Sequence, residues 1–270
     1  VSVLVKGTKL KVYTTSTAYT YQWTQNPAWI ILDLLTSTRR GVGQYIGAAT
    51  PDIDSFITAA AAYALPVANQ FNTGFEDLYH LDIVIDETKD AFDWIFQLCQ
   101  ACNSTLFRAG GRFILKLDKA ATPVMMFTPA NMRNLTIGYT APNERVNYVE
   151  AHFSDEDLNY RENVIVAVDQ AIETTADYRK EAIDFPGVAR RSQALRLSNY
   201  RINVNKLITR YGKFETDIAA IRCEPADVVE IAVDVAEQEM RDRIARRMTQ
   251  RALAVLPRPK RIAYLVFRQA

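Results

Sequence analysis

Apolar positions recur at two periods along this chain, and the switches between them mark its elements. Between residues 27 and 35, Trp29, Ile30, Ile31, Leu34 and Leu35 form a broad apolar side, the pattern of a helix packed on a core. Asn26-Pro27 supplies its start: Asn accepts from the first free backbone N–H groups, and Pro at the first helical position gives up nothing. Arg39, Arg40, Gly41 and Gly43 lie in the segment that ends it. A second helix is expected to open at Thr50-Pro51-Asp52. It carries Ile53, Phe56, Ile57, Ala60 and Ala61 on one face to about Leu65, where Pro66 stops it. A third, capped by Thr88, spans residues 89–101 with Ala91, Phe92, Ile95, Phe96, Leu98, Cys99 and Cys102 at helical spacing.

Period-two alternation marks the strands. Residues 1–5 and 10–13 alternate around Lys6-Gly7 and predict a hairpin or two successive strands. Residues 81–86 read as a strand. Residues 105–108 and 112–118 form a hairpin in which Gly110-Gly111 supplies the positive φ angles of the turn. Beyond a loop-rich stretch with one short strand near 135–139, residues 145–153 and 163–168 are extended, and 187–207 are helical. Residues 211–222 and 227–233 predict two long antiparallel strands joined at Glu224-Pro225. Residues 234–256 predict an amphipathic helix, broken by Pro257 and Pro259, and 262–267 a last strand. The expected organisation is an α+β chain: residues 1–140 a domain of helices and a β-hairpin, 141–235 a β-rich, tube- or barrel-type domain with a long helix, and 236–270 a basic C-terminal segment.

Charge sharpens that division. The 270 residues carry 32 basic and 31 acidic groups, a net of +1, which excludes a generic nucleic-acid coat. Residues 240–270 hold nine of the basic groups and one acid, leaving 23 basic and 30 acidic elsewhere. An acidic body and a basic tail are thus hidden in a neutral total. The tail favours docking on an acidic protein surface over nucleic acid, because no aromatics interleave its helix. Three cysteines build no disulfide framework, and two histidines rule out a histidine-rich zinc site. No apolar run reaches bilayer length, so no membrane span is expected. These features together predict a soluble, reduced protein, and because the chain opens on Val1 without a basic leader or an initiating Met, a fragment of a longer polypeptide is expected.

None of the candidate chemistry converges. Cys99-x-x-Cys102 falls inside a helix on its apolar stripe, where free Cys packs as a small hydrophobe. Cys223 near a strand end is read as structural in the same way. Gly41-Val42-Gly43 follows a helix and lacks the Lys-Ser/Thr ending of a phosphate loop, and Gly110-Gly111 is a hairpin turn. Asp155-Glu156-Asp157 and Asp52/Asp54 lack the Gly and distal Glu of a calcium loop and read as solvated turns and helix caps. His152 alternates with Glu150 and Tyr148 on a strand, with no nucleophile motif beside it. No catalytic residue, no cofactor-binding residue and no metal ligand is expected, and the chain reads as no enzyme.

One series of residues is distinctive. Trp23, then Asn26-Pro27-Ala28-Trp29, Leu34-Leu35-Thr36 and Arg39-Arg40-Gly41-Val42-Gly43 stand in this order. The series resembles the tip attachment (host-specificity) proteins of lambda-like siphophages, with Arg40 where an aromatic is usual. Ile53-Asp54-Ser55-Phe56, Ala91-Phe92-Asp93-Trp94, Ser192-Gln193-Ala194 and Glu224-Pro225-Ala226-Asp227 continue it to about Ile231. Ala226 stands where the family has Gly, which implies a less demanding turn.

The resemblance implies a virion protein, synthesised in the bacterial cytoplasm: a homotrimeric hub of the tail tip or baseplate that closes or continues the tail tube. It implies an antiparallel β-barrel-like hub domain beside the small strand–helix–hairpin domain. It further implies contacts with other tail-tip and tail-tube proteins, a link to host-recognition parts, and DNA passing through the lumen without specific binding. The alternative is a carbohydrate-binding or glycan-degrading tail module, with Trp23 as its exposed aromatic, since Trp29 and Trp94 lie on apolar helix faces. A third reading, a cytoplasmic adaptor, would work through the basic tail.

Overall fold

A computed structural model describes residues 5–46, 50–85, 89–172, 177–232 and 265–266. In chain order the first elements are β1 (Leu10–Tyr13), β2 (Tyr19–Gln22), α1 (Pro27–Thr36), β3 (Thr50–Pro51), α2 (Ile53–Tyr63), β4 (Pro66–Ala68) and β5 (Phe75–Asp77). Then come α3 (Ala91–Gln100), β6 (Ser104–Ala109), β7 (Arg112–Leu117), β8 (Met125–Phe127), β9 (Met132–Tyr139), β10 (Tyr148–Asp155) and β11 (Arg161–Val168). The last are β12 (Lys180–Asp184), α4 (Arg191–Leu207), β13 (Arg210–Thr216), β14 (Val229–Ile231) and β15 (Leu265–Val266). The chain divides into two compact units: Val1–Lys119 with Pro142–Lys206, and Ala120–Ala141 with Leu207–Ala270.

The first unit is built on α1, α2 and α3 and the β6–β7 hairpin. Asn26 caps α1 as its sequence requires, its side chain accepting from the Ala28 N–H at 3.1 Å, and Pro27 occupies the first turn. Its amide also donates to the Ala60 carbonyl at 2.9 Å, which ties the start of α1 to α2. Ile31, Leu35, Phe56, Tyr63, Ile95 and Leu98 are sealed from solvent and form the centre of the core. Asp90, one of the described residues, caps α3 by accepting from Phe92 N–H at 2.8 Å; Thr88 lies outside them. At the hairpin tip Gly110 and Gly111 have φ of +55° and +80°, and nothing surrounds them, so backbone conformation alone demands glycine there. A second layer is the sheet β11-β10-β12, antiparallel between β10 and β11 and parallel between β10 and β12.

Several expectations are corrected. Residues 81–85 join no sheet. Leu81 N–H bonds to the Gln25 carbonyl and Asp82 N–H to that of Gly187, so isolated carbonyls take the donors that a ladder would use. Thr50-Pro51 is a short strand parallel to β7, and α2 starts after Asp52. The helix expected from 187 starts at Arg191. Of the first expected strand only residue 5 is described, and it is not in a strand; the region's hairpin is β1–β2. The tail helix over 234–256 lies outside the described residues, while Leu265–Val266 pairs with β13.

The second unit overturns the β-barrel-like hub domain. Its sheets are β15-β13-β9 and β14-β8, and among the described residues no sheet has more than three strands or closes on itself. A barrel needs a continuous, staggered ladder whose first and last strands meet. Here the expected long strand over 211–222 stops at Thr216 and turns into a short 3₁₀ helix, Ile218–Arg222. Its partner is β9, not the segment that follows it, and β14 pairs parallel with β8 instead. Phe127, Met132 and Phe214 make a small separate core. The class that stands is α+β with mixed, open sheets.

Ala226 is a further correction. The turn at 224–227 does require the left-handed region: Ala226 has φ +63°. Asp227 N–H bonds back to the Glu224 carbonyl, and Glu224 N–H to the Asp227 carboxylate. A Cβ in that region is strained by roughly 1 kcal/mol. Ala226→Gly should therefore raise stability by about 1 kcal/mol less the unfolded-state entropy that glycine adds. Urea denaturation followed by far-UV circular dichroism checks the sign.

Candidate functional site

Among the described residues no group of three or more His, Cys, Asp or Glu side chains is placed to hold a metal. Cys99 and Cys102 are buried in the α1–α3 core. Burial pushes both thiols up, Cys102 to about 11, whereas a redox or metal-binding pair needs a lowered value. The Cys102 thiol donates to the Leu98 carbonyl at 3.2 Å. Cys223 is half-buried in the second unit. Asp52 occupies the cap position of α2 without a side-chain cap bond and lies 3.5 Å from the Arg112 guanidinium, while Asp54 is in the first turn.

The acidic run at 155–157 is not a solvated turn throughout. Asp155 is 1% exposed, accepts from Asp157 N–H at 3.0 Å and from the Asn163 amide at 2.7 Å, and so clamps the end of the β10–β11 hairpin. Burial raises the Glu156 pKa, with Asp82, Asp157 and Asp155 adding to it and Arg190 opposing them. His152 faces outward from β10, its Nδ1 3.1 Å from Glu162. Trp29 and Trp94 are buried as expected, whereas Trp23 is exposed, as are Tyr19 and Tyr21. The Lys6 ammonium lies over the Trp23 ring and Lys11 over that of Tyr19.

What the structure does assemble is a polar clasp around the start of α4. Gln193 is fully buried. Its carbonyl oxygen accepts from His80 N–H at 2.9 Å, and its amide donates to the carbonyls of His80 at 3.0 Å and Ala101 at 3.3 Å. One side chain thus satisfies backbone groups of two distant segments. Beside it, the Ser192 hydroxyl and the Arg196 guanidinium both donate to Glu76, Arg196 at 2.5 Å, and Arg196 also reaches the Leu78 carbonyl at 2.9 Å. Burial works to raise the Glu76 pKa, but Ser192 and Arg196 outweigh it and hold the carboxyl below its ordinary value. Sequence reasoning quoted Ser192-Gln193-Ala194 without giving it this role. The available signal is that Gln193 shares the helix face of Leu197, four residues on.

The exposed faces complete the picture. β11 lies at the edge of its sheet, with Val164 and Val166 both more than 40% exposed. They share the outward face with His152, Glu150 and Tyr148 of β10, the residues opposite or beside them in register. No helix among the described residues is long and apolar enough to cross a membrane.

Residues 90–249 match the family model Phage-tail_3, described as a phage tail protein. Over 214 residues the chain is 28% identical to the "Tip attachment protein J" of Escherichia phage SECphi27, a match covering 78% of this chain and 18% of that protein. The chain therefore spans less than a fifth of that relative. Solved structures with a similar course include a chain of the virion of a native gene transfer agent particle, at TM-score 0.47 and 15% identity over 71% of this chain and 44% of the other. Another is the 43 kDa tail protein of prophage MuSo2 from Shewanella oneidensis, at TM-score 0.43 and 10% identity over 79% and 56%.

Two outcomes follow from these environments. Native protein at pH 8 should expose only the Cys223 thiol to Ellman's reagent, and denaturant should release the other two. Glu76→Gln should cost about 3 kcal/mol at pH 7. A lowered folded-state pKa means that this stabilisation is present above the carboxylate range and is lost as pH falls through it. The gap between variant and parent in urea titrations should accordingly close toward pH 3.

Proposed function

The chain belongs to this phage tail protein family, and from that premise we propose that it is a subunit of the tail-tip or baseplate hub, assembling as a closed homotrimer. It is a structural protein of the virion, made in the cytoplasm of the bacterial host. In the proposed hub three copies surround the axis along which the tail tube ends. Other tail-tip and tail-tube proteins and host-recognition parts attach to it, and DNA passes through without specific binding. Catalysis has no part in this role. The name of the 28%-identical relative, a tip attachment protein, supports the placement at the tip.

The observation that carries the assembly is the outer edge of β11. An eight-residue strand with an unpaired side and two exposed valines is a surface that a monomer has reason to blunt, with charge, proline or a covering element. Among the described residues the edge carries none of these over Val164–Val166. A neighbouring copy would pair its backbone and bury its side chains, and a rotation that closes makes a ring. The glycan-binding alternative rests on Trp23. Lysines over the Trp23 and Tyr19 rings occupy faces that a sugar would stack on, and the Tyr19–Tyr21 pair meets edge-on at 89°, so the three rings form no flat platform.

Mass photometry at micromolar concentration should give a trimer mass, with three-fold class averages in electron micrographs. Val164→Lys combined with Val166→Lys should leave the circular dichroism unchanged and shift the mass to that of one chain. A parent protein that stays monomeric, alone and with its tail partners, contradicts the hub. A trimer that survives both lysines moves the contact away from this edge.

A further inference from the structure

The segment after α1, Ser37 to Gly43, is not an ordinary surface loop. Ser37 N–H donates to the Asp33 carbonyl at 2.7 Å and Val42 N–H to that of Leu34 at 2.9 Å, while Gly41 and Gly43 both donate to the Ser37 carbonyl at 3.2 Å. The Ser37 hydroxyl accepts from Arg40 N–H at 3.1 Å, and the Gln44 amide donates to the Thr38 carbonyl at 2.7 Å. A Cβ on Gly41 would overlap the Leu34 carbonyl, and one on Gly43 that of Thr36. The glycines therefore let the turn press against the end of the helix, and the hydrogen bonds hold it there. Side chains carried on such a turn are presented with little backbone freedom left to lose on binding.

That turn presents two consecutive arginines. Arg39 and Arg40, with Ser37 and with Thr8 from the preceding segment, line an open hollow of about 500 Å³. Arg40 is steadied by Asp33, its guanidinium 3.1 Å from the carboxylate. Arg39 is exposed and has no acidic partner among the described residues. Among the described residues no carboxylate lines the hollow, and Lys9 follows Thr8 in the chain. The helix end would ordinarily repel an anion. Here two of its last four carbonyls are already engaged, that of Asp33 by Ser37 and that of Leu34 by Val42.

We propose that this hollow binds the phosphate group of a small phosphate ester. Guanidinium forks match phosphate oxygens in pairs, and the Ser37 and Thr8 hydroxyls add donors suited to the remaining oxygen. The hollow is open and larger than a single oxyanion fills, which leaves the organic part room beside the phosphate. The four described lining residues all come from one copy.

Calorimetric titration of the parent protein with ribose 5-phosphate, inorganic phosphate and ribose, at about 150 mM NaCl, tests it. The expected order is ribose 5-phosphate tightest, inorganic phosphate weaker and ribose undetectable. Arg39→Ala, an exposed position whose loss leaves the fold intact, should weaken ribose 5-phosphate at least about tenfold. Arg39→Lys should fall between the two, because a point charge does not reproduce the fork. The proposal is overturned if neither phosphate saturates below about 10 mM, or if Arg39→Ala binds as the parent does. It is equally overturned if Arg39→Lys equals the parent, which would reduce the effect to diffuse charge, or if the ester binds no better than inorganic phosphate.

Discussion

The three hydrogen bonds of the Gln193 side chain hold the first unit in register. His80 N–H and carbonyl and the Ala101 carbonyl lie where no strand or helix supplies their partners, and water does not reach the fully buried amide that bonds them. Leaving such groups unpaired costs about 1–3 kcal/mol each. α4 depends on them in turn, because the residues it buries include Ser192, Gln193 and Ser198 beside Ala194, Leu197 and Ile202. A helix with so polar a buried face gains less from leaving water than α1 or α3 does. Its position is set by direction-dependent bonds: the amide to residues 80 and 101, and Ser192 with Arg196 to Glu76. Polar anchoring of this kind specifies one docking geometry where a greasy stripe would tolerate several.

The same contrast explains what was legible in the chain. α1, α2, α3 and the β6–β7 hairpin were readable because each is fixed by neighbours in sequence. Asn26-Pro27 and Gly110-Gly111 carry their own mechanisms, and the apolar spacing of Ile31, Leu35, Ile95 and Leu98 names the core. Pairing between distant strands has no local signature. Residues 211–216 alternate like any strand, yet nothing in them says that their partner is β9 and not the segment after the turn. Leu81 to Ile85 alternate as well, but Gln25 and Gly187 take the backbone donors of Leu81 and Asp82. Asp155 looked solvated because acids in a row usually are. Its burial follows from Asn163, which only the folded hairpin brings within 2.7 Å. At the interaction surfaces the sequence named Arg39, Arg40, the two glycines and Trp23. It did not reveal the β11 edge, because exposure is a property of the assembled sheet.

The route of the chain between the two units adds a constraint of its own. It leaves the first unit after β7, builds β8 and β9, returns for β10 through most of α4, and leaves again for β13 and β14. Neither unit is a continuous stretch that could be cut away at one end. Pairing β9 with β13 joins positions as far apart as Tyr139 and Arg210, and closing so long a loop carries an entropic cost that grows only slowly with its length. The span that this pairing closes is taken up in the chain by the β10–β12 sheet and α4. The Gln193 clasp that docks α4 therefore also fixes the helix whose end leads on to β13.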